Sequence, residues 1–216
     1  MKKNLIFFSL SLIILSISKT TALTLEDAIS QSTDILNKQM ISHIAEDDII
    51  KALHEIGITI YEKWNDFLPE KSIRRDEAAK MLTIANEYLK EYWNNKFTQK
   101  GKSEKECTFS DQKEAWQDLY SILIESCKQG LFKGSKGKFL PTSEITNGDI
   151  ITVMGRILYG IQDESKGHYA TNYANLLQKE GFLENLNISE EKSWGKPAKR
   201  WTLAKLIFNV LTDKLQ

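Results

Sequence analysis

The chain has 216 residues, with 29 basic and 29 acidic side chains, 41% hydrophobic residues and two cysteines. Such a charge balance argues against nucleic acid as a partner, because proteins that bind it usually carry a basic stripe. The length suits one compact domain or a few small repeats sharing a core.

Lys2 and Lys3 precede an apolar run from Leu5 to Ile17, and Thr20, Thr21 and Ala22 supply small residues where a signal peptidase could cut. The pattern predicts a secretory leader over residues 1–22. A membrane anchor needs about 20 apolar residues. This run is shorter and broken by Ser9, Ser11 and Ser16, so no transmembrane anchor is expected after cleavage. No Cys follows the run, which argues against a lipid-anchored amino terminus. The mature protein is expected to be soluble and exported.

Thr24 and Asp27 are placed as a helix cap and its acidic partner, with Leu25, Ile29 and Leu36 at helical spacing behind them. A second helix is predicted from Ala45 to Ile56, its side formed by Ile49, Ile50, Leu53 and Ile56, with Gly57 as the stop signal. A loop follows, carrying Trp64 and Phe67-Leu68-Pro69. A long helix is then expected from Arg75 to Tyr92, with Ala78, Met81, Leu82, Ala85, Tyr88 and Leu89 along its apolar stripe. Residues 94–106 mix Lys, Glu and Gly and read as a linker.

Residues 107–160 form one complete unit. Phe109-Ser110-Asp111 leads into a helix whose face carries Trp116, Leu119, Tyr120, Leu123, Ile124 and Cys127 and which stops at Gly130. A Gly/Lys-rich loop leads to Phe139-Leu140-Pro141, and a second helix opens at Ile145-Thr146-Asn147-Gly148-Asp149 with Ile150, Val153, Met154, Ile157 and Leu158 inward. Residues 160–167 are turn-rich. Tyr169, Tyr173, Leu176 and Leu177 then mark a short helix ending at Gly181, and Trp201, Ala204, Phe208 and Leu211 mark the last one. Leu82, Leu123 and Val153 lie centrally on their stripes and are expected in the core.

The flanks are altered copies of this unit. Gly57, Gly130 and Gly181 are followed by Ile73, Ile145 and Ala198 after roughly 15 to 17 residues each time. Phe-Leu-Pro occurs twice, and each time an Ile lies four residues after the Pro. In the third copy Trp194 to Pro197 replaces Phe-Leu-Pro, and no Gly-rich turn separates Gly181 from it. Single repeats cannot bury their apolar faces, so the copies must stack.

This arrangement resembles the S-layer homology repeat: an Asp-containing start, a first helix ending in Gly, a Gly-rich turn, Phe-x-Pro, and Ile-Thr-Arg-Ala-Glu opening the second helix. The likeness covers residues 45–216. The placement of Cys107 before Phe-x-Asp, and of Cys127 near the end of the following helix, is similar to the cysteine-containing kind seen in uncultivated small-genome bacteria. The resemblance implies an all-α fold: three helix-loop-helix repeats around a pseudo-threefold axis, with short extended segments in the loops. The first repeat, with its amino-terminal helix, would span residues 23–93, the second 107–160, and a degenerate third 161–216.

Two cysteines in an exported chain point to one disulfide, Cys107 to Cys127. Closing a loop of about 20 residues contributes on the order of 3 kcal/mol in the chain-entropy model. The bond requires the segment from Cys107 to Ala115 to run back along the helix. The alternative is two reduced thiols, Cys127 in the core and Cys107 in solvent.

The resembled family holds anionic cell-wall polysaccharide in grooves between repeats, with the Arg of Ile-Thr-Arg-Ala-Glu among the contacts. Carried over by position, Arg75 and Arg200 take the Arg place and Asn147 replaces it in the second copy; Glu77 and Asp149 keep the acid, and Thr202 replaces it. A guanidinium forks onto a sugar carboxylate, and a helix amino terminus can add N–H donors. Without the resemblance, Arg74 and Arg75 beside Asp76 and Glu77 read as a solvated charge cluster. Lys133, Lys136 and Lys138 could offer positive charge to an anionic polymer, or merely decorate a turn. Trp64 and Trp194 could stack on sugar rings, whereas Trp116 and Trp201 fall on apolar stripes and are expected in the core.

No cofactor or enzyme signature accompanies these residues. The loop from Gly130 to Lys138 has Phe132 where a phosphate loop needs Gly, and His43, His54 and His168 lack metal-ligand spacing. Asn187-Ile188-Ser189 matches a glycosylation acceptor, a pattern too short to weigh. The expected function is non-covalent attachment to envelope polysaccharide, with other surface-layer proteins as further partners. The rival is an envelope assembly module that keeps the fold and contacts proteins instead; a cell-wall hydrolase is remote, because no acid/base pair is in view.

Overall fold

The computed structural model describes residues 44–93, 103–165 and 167–214. The expected leader over residues 1–22, the expected first helix from Thr24 and residues 94–102 of the expected linker lie outside them. Among the described residues the fold is all-α, with seven α-helices joined by short 3-10 turns and isolated β-bridges. They are α1 Glu46–Glu55, α2 Trp64–Phe67, α3 Arg75–Trp93, α4 Tyr120–Lys128, α5 Asn147–Tyr159, α6 Thr171–Lys179 and α7 Arg200–Lys214. None of the described helices is long and apolar enough to cross a membrane. Trp64, expected in a loop, begins the one-turn helix α2.

Helices α1, α4 and α6 end alike. Gly57, Gly130 and Gly181 have φ of 77°, 74° and 79°, a region open to glycine and strained for residues with a Cβ. Each glycine N–H returns to the helix (to the carbonyls of His54, Cys127 and Gln178), and the next residue bonds one residue further back, to Leu53, Ser126 and Leu177. That is the Schellman pattern, and the residues after the glycines, Ile58, Leu131 and Phe182, are buried as its apolar contact requires.

The three longer helices begin with an exchange of backbone hydrogen bonds. Ile73 N–H donates to the Ala198 carbonyl, Ala198 to Ile145, and Ile145 to Ile73, which closes a ring. Two residues on, Arg75 donates to Ser143, Asn147 to Lys196 and Arg200 to Lys71; next, Asp76 donates to Pro141, Gly148 to Trp194 and Trp201 to Pro69. Nine bonds thus tie three segments that are far apart in sequence. The helices follow the same order: α1 packs on α7, α4 on α3, and α6 on α5. Leu82 and Leu123 are fully buried and Val153 is 3% exposed. Gly155, mid-way along α5, lets α6 approach closely, because a Cβ there would lie 2.4 Å from a ring atom of buried Tyr173.

Cys107 and Cys127 are disulfide-bonded, with both side chains fully buried. The end of the expected linker is already ordered: Ser103 and Glu106 form a capping box on a 3-10 turn ending at Cys107. The expected helix from Trp116 is corrected, since α4 begins only at Tyr120 and residues 112–119 wind through two 3-10 turns. The segment before α4 instead returns to the end of that helix, where Cys107 meets Cys127. Trp116 therefore leaves the apolar stripe and is 46% exposed instead of buried. Tyr169 likewise precedes α6 and is 36% exposed. In the third loop Asn185 and Asn187 adopt φ of 61° and 56°, so asparagines supply the left-handed turns that glycines supply in the second.

Candidate functional site

At the start of α3, Arg75 lies over two aromatic rings, 5.1 Å from the centroid of Phe132 and 5.4 Å from that of Phe139. Among the described residues its ion pair is Nη1 to Asp149 Oδ2, long at 3.6 Å, and its buried Nε has no hydrogen-bond partner. Burial pulls the guanidinium pKa below its ordinary value against the opposing pull of Asp149. Asp149 is held from other sides as well: its N–H and that of Thr146 exchange capping bonds with the two side chains, and Tyr169 Oη donates to Asp149 Oδ1 at 3.1 Å. Tyr169 stacks on His168 at 4.3 Å, and burial raises its own pKa. Arg75 thus covers the buried rings of Phe132 and Phe139 and faces an acid-phenol pair.

The starts of α5 and α7 are organised differently. Asn147 is 7% exposed and its amide donates to the Ser193 carbonyl at 3.0 Å. Arg200 is 4% exposed, donating from Nη1 to the Phe67 carbonyl at 3.0 Å and from Nη2 to Glu77 Oε1 at 2.5 Å. Its guanidinium also lies 5.2 Å from the Tyr61 ring centroid. Above this pair is a cavity of about 80 Å³, lined among others by Tyr61, Lys80, Met81 and Trp116. Arg74 lies 4.9 Å from the Trp116 ring and is held by a fork to Asp76.

Other candidate residues are dispersed. Lys133 pairs with Glu164 at 3.1 Å, while Lys136 and Lys138 are exposed on the two-residue turn from Ser135 to Lys138. Trp64 is half-buried edge-on to Trp201, with centroids 4.8 Å apart, and borders a cleft lined by Asp47, Asp48, Glu62 and Asp66 that disfavours an anion. Trp194 is 4% exposed and donates from Nε1 to the Ile188 carbonyl, which removes its ring from sugar stacking. The expected contribution of helix N–H donors is corrected too. The first N–H groups of α3, α5 and α7 are already bonded to neighbouring loop carbonyls, so a ligand must be held by side chains. Among the described residues no group of His, Cys, Asp and Glu is arranged to hold a metal ion.

Arg156 was not singled out by the sequence pattern, because it interrupts an otherwise apolar helix. It is buried in α5, donates to the Leu131 carbonyl and forks onto Glu164, which also accepts from Tyr173 Oη. Burial pushes Glu164 up, but the hydrogen bonds from Arg156 and Tyr173, with the Arg156 charge and Lys133, hold it below the ordinary value. A depressed carboxylate contributes stability above its unfolded pKa of about 4.3 and loses it as pH falls through the folded value. Glu164→Gln is therefore expected to be less stable than wild type at pH 7, with the gap closing as pH falls below about 4. Urea titrations across that range measure it; a gap independent of pH would remove Glu164 as a contributor.

No family model matches the chain, and neither a curated protein nor a solved structure does.

Proposed function

We propose that the chain is an exported envelope module of the S-layer homology type, whose three repeats, residues 23–93, 107–160 and 161–216, surround a pseudo-threefold axis and hold anionic envelope polysaccharide. The cyclic exchange of nine backbone hydrogen bonds supports the arrangement. Arg75 carries the functional reading, since its guanidinium is enclosed by aromatic rings yet only loosely paired. A sugar carboxylate can displace the 3.6 Å contact to Asp149 and take a forked, charge-assisted pair in its place. Such a pair is worth about 1.5 to 3 kcal/mol. Arg200 and Asn147 are closed by partners of their own and act as structural ties between repeats.

The test is titration of the mature chain against solubilised envelope polysaccharide at two salt concentrations. Arg75→Ala is expected to weaken binding about tenfold or more. Salt should weaken wild-type binding moderately, because partly exposed ion pairs are screened within about 8 to 10 Å. A folded Arg75→Ala protein that binds like wild type would sink this reading. The rival, an assembly module docking proteins, draws support from Leu68 and Leu140, which are 50% and 46% exposed at matching places in two repeats. Retention on envelope fractions only while their proteins remain would favour that rival.

A further inference from the structure

We propose that Asp111 and the Cys107–Cys127 bond position the aromatic rings beneath Arg75, so that this cation takes its binding position only after the disulfide is made. This rests on the reading of Arg75 as the glycan-binding cation. Asp111 is 7% exposed, and its two carboxylate oxygens accept the N–H groups of Phe139 at 2.8 Å and Leu140 at 2.9 Å. Leu140 sits at φ 61°, a left-handed conformation disfavoured for a side chain with a Cβ. Two charge-assisted bonds oppose that preference. The turn so fixed then reaches α3: the Pro141 and Ser143 carbonyls take the N–H groups of Asp76 and Arg75, and the Phe139 ring lies beneath the Arg75 guanidinium.

Asp111 depends in turn on the segment that carries it. Phe109 packs edge-on against Phe139 with centroids 5.2 Å apart, and Ser110 N–H donates to the Gly137 carbonyl. Phe109 fits only because residue 134 is glycine, where a Cβ would lie 2.4 Å from its ring. A few residues earlier, Cys107 anchors the segment to the end of α4. In the thiol form, that anchor is absent and the segment from Ser103 to Asp111 is free to lift away, taking both carboxylate contacts with it. Making the bond converts two thiols to one disulfide, with two protons released and two electrons passed to a disulfide oxidant of the exporting compartment. The glycan site is thereby withheld until the chain has left a reducing environment.

The experiment compares the oxidised mature chain with Cys107→Ser/Cys127→Ser and with Asp111→Asn, which keeps the disulfide but replaces one acceptor oxygen by a donor facing a backbone N–H. Circular dichroism and thermal melting establish that each is folded. Two readouts are taken: titration against solubilised envelope polysaccharide, and the NMR resonance of Arg75 Nε–H, whose shift reports the rings of Phe132 and Phe139. Both variants are expected to bind about tenfold more weakly and to lose the ring-induced shift. Unchanged affinity and an unchanged Arg75 resonance in folded variants overturn the proposal. Should the double-serine chain fail to fold, Cys107→Ala/Cys127→Ala, which buries no hydroxyl, takes its place, and Asp111→Asn tests the carboxylate step separately. If oxidised wild type binds no polysaccharide while the Arg75 resonance still moves in the variants, the glycan reading falls and the positioning role stands.

Discussion

Arg200→Ala is expected to destabilise the fold by about 3–5 kcal/mol, the range for removing one partner of a buried ion pair. The side chains of Arg200 and Glu77 are 5% and 12% exposed, and the guanidinium also satisfies the Phe67 carbonyl. Truncation strands both a carboxylate and a carbonyl away from water. Arg75→Ala, at the start of α3, breaks a 3.6 Å pair between groups 20% and 28% exposed and removes the cation from the rings of Phe132 and Phe139. Partly exposed pairs of that kind contribute about 0–1 kcal/mol. Urea denaturation of the two variants should therefore separate them clearly. A loss below about 1 kcal/mol for Arg200→Ala, the range of surface positions, would mean that its pair with Glu77 is not enclosed in solution.

Leu123→Ala should remove about 2–5 kcal/mol, the transfer free energy of the lost methyl groups together with that of the cavity left behind. Leu123 is fully buried on α4, which packs against α3. Trp116→Ala makes the informative comparison, since a larger side chain is removed from a site 46% exposed. Its effect should stay within about 0.5 kcal/mol. Equal losses at the two positions would contradict the helix starting at Tyr120.

That comparison also separates what was legible in the sequence from what was not. The apolar spacing and the stop signals at Gly57, Gly130 and Gly181 are local, and each marks a helix end carrying the same pair of return bonds. Trp116 is misplaced because the apolar spacing continues back through it, while the helix begins only at Tyr120 and the chain before it turns back to meet Cys127. Spacing cannot register such a closure. Arg200 was unreadable for another reason: its carboxylate partner lies 123 residues earlier, so local sequence offers only an unpaired cation. Tyr61 escapes the pattern because it precedes a helix and falls outside any periodic stripe, whereas Tyr169, read as part of a helical stripe, stands just ahead of α6. An aromatic residue just ahead of a predicted helix, within reach of another helix's charged start, is the signal that finds both.

The closed ring of hydrogen bonds at the helix starts has a consequence for timing. Its last member, Ala198, and the helix α7 that seals α1 arrive at the far end of the chain. Phe67 waits for a partner 133 residues downstream. A nascent chain carrying only the first two segments has an open ring, unmatched carbonyls at Lys71 and Pro69, and an uncovered apolar face on α1. It gains cooperativity only once the third segment is present, since long-range contacts yield stability after loop closure and not before. On the proposed reading of an exported chain, such late closure keeps the polypeptide threadable until its third segment has passed and lets it lock in a single step afterwards.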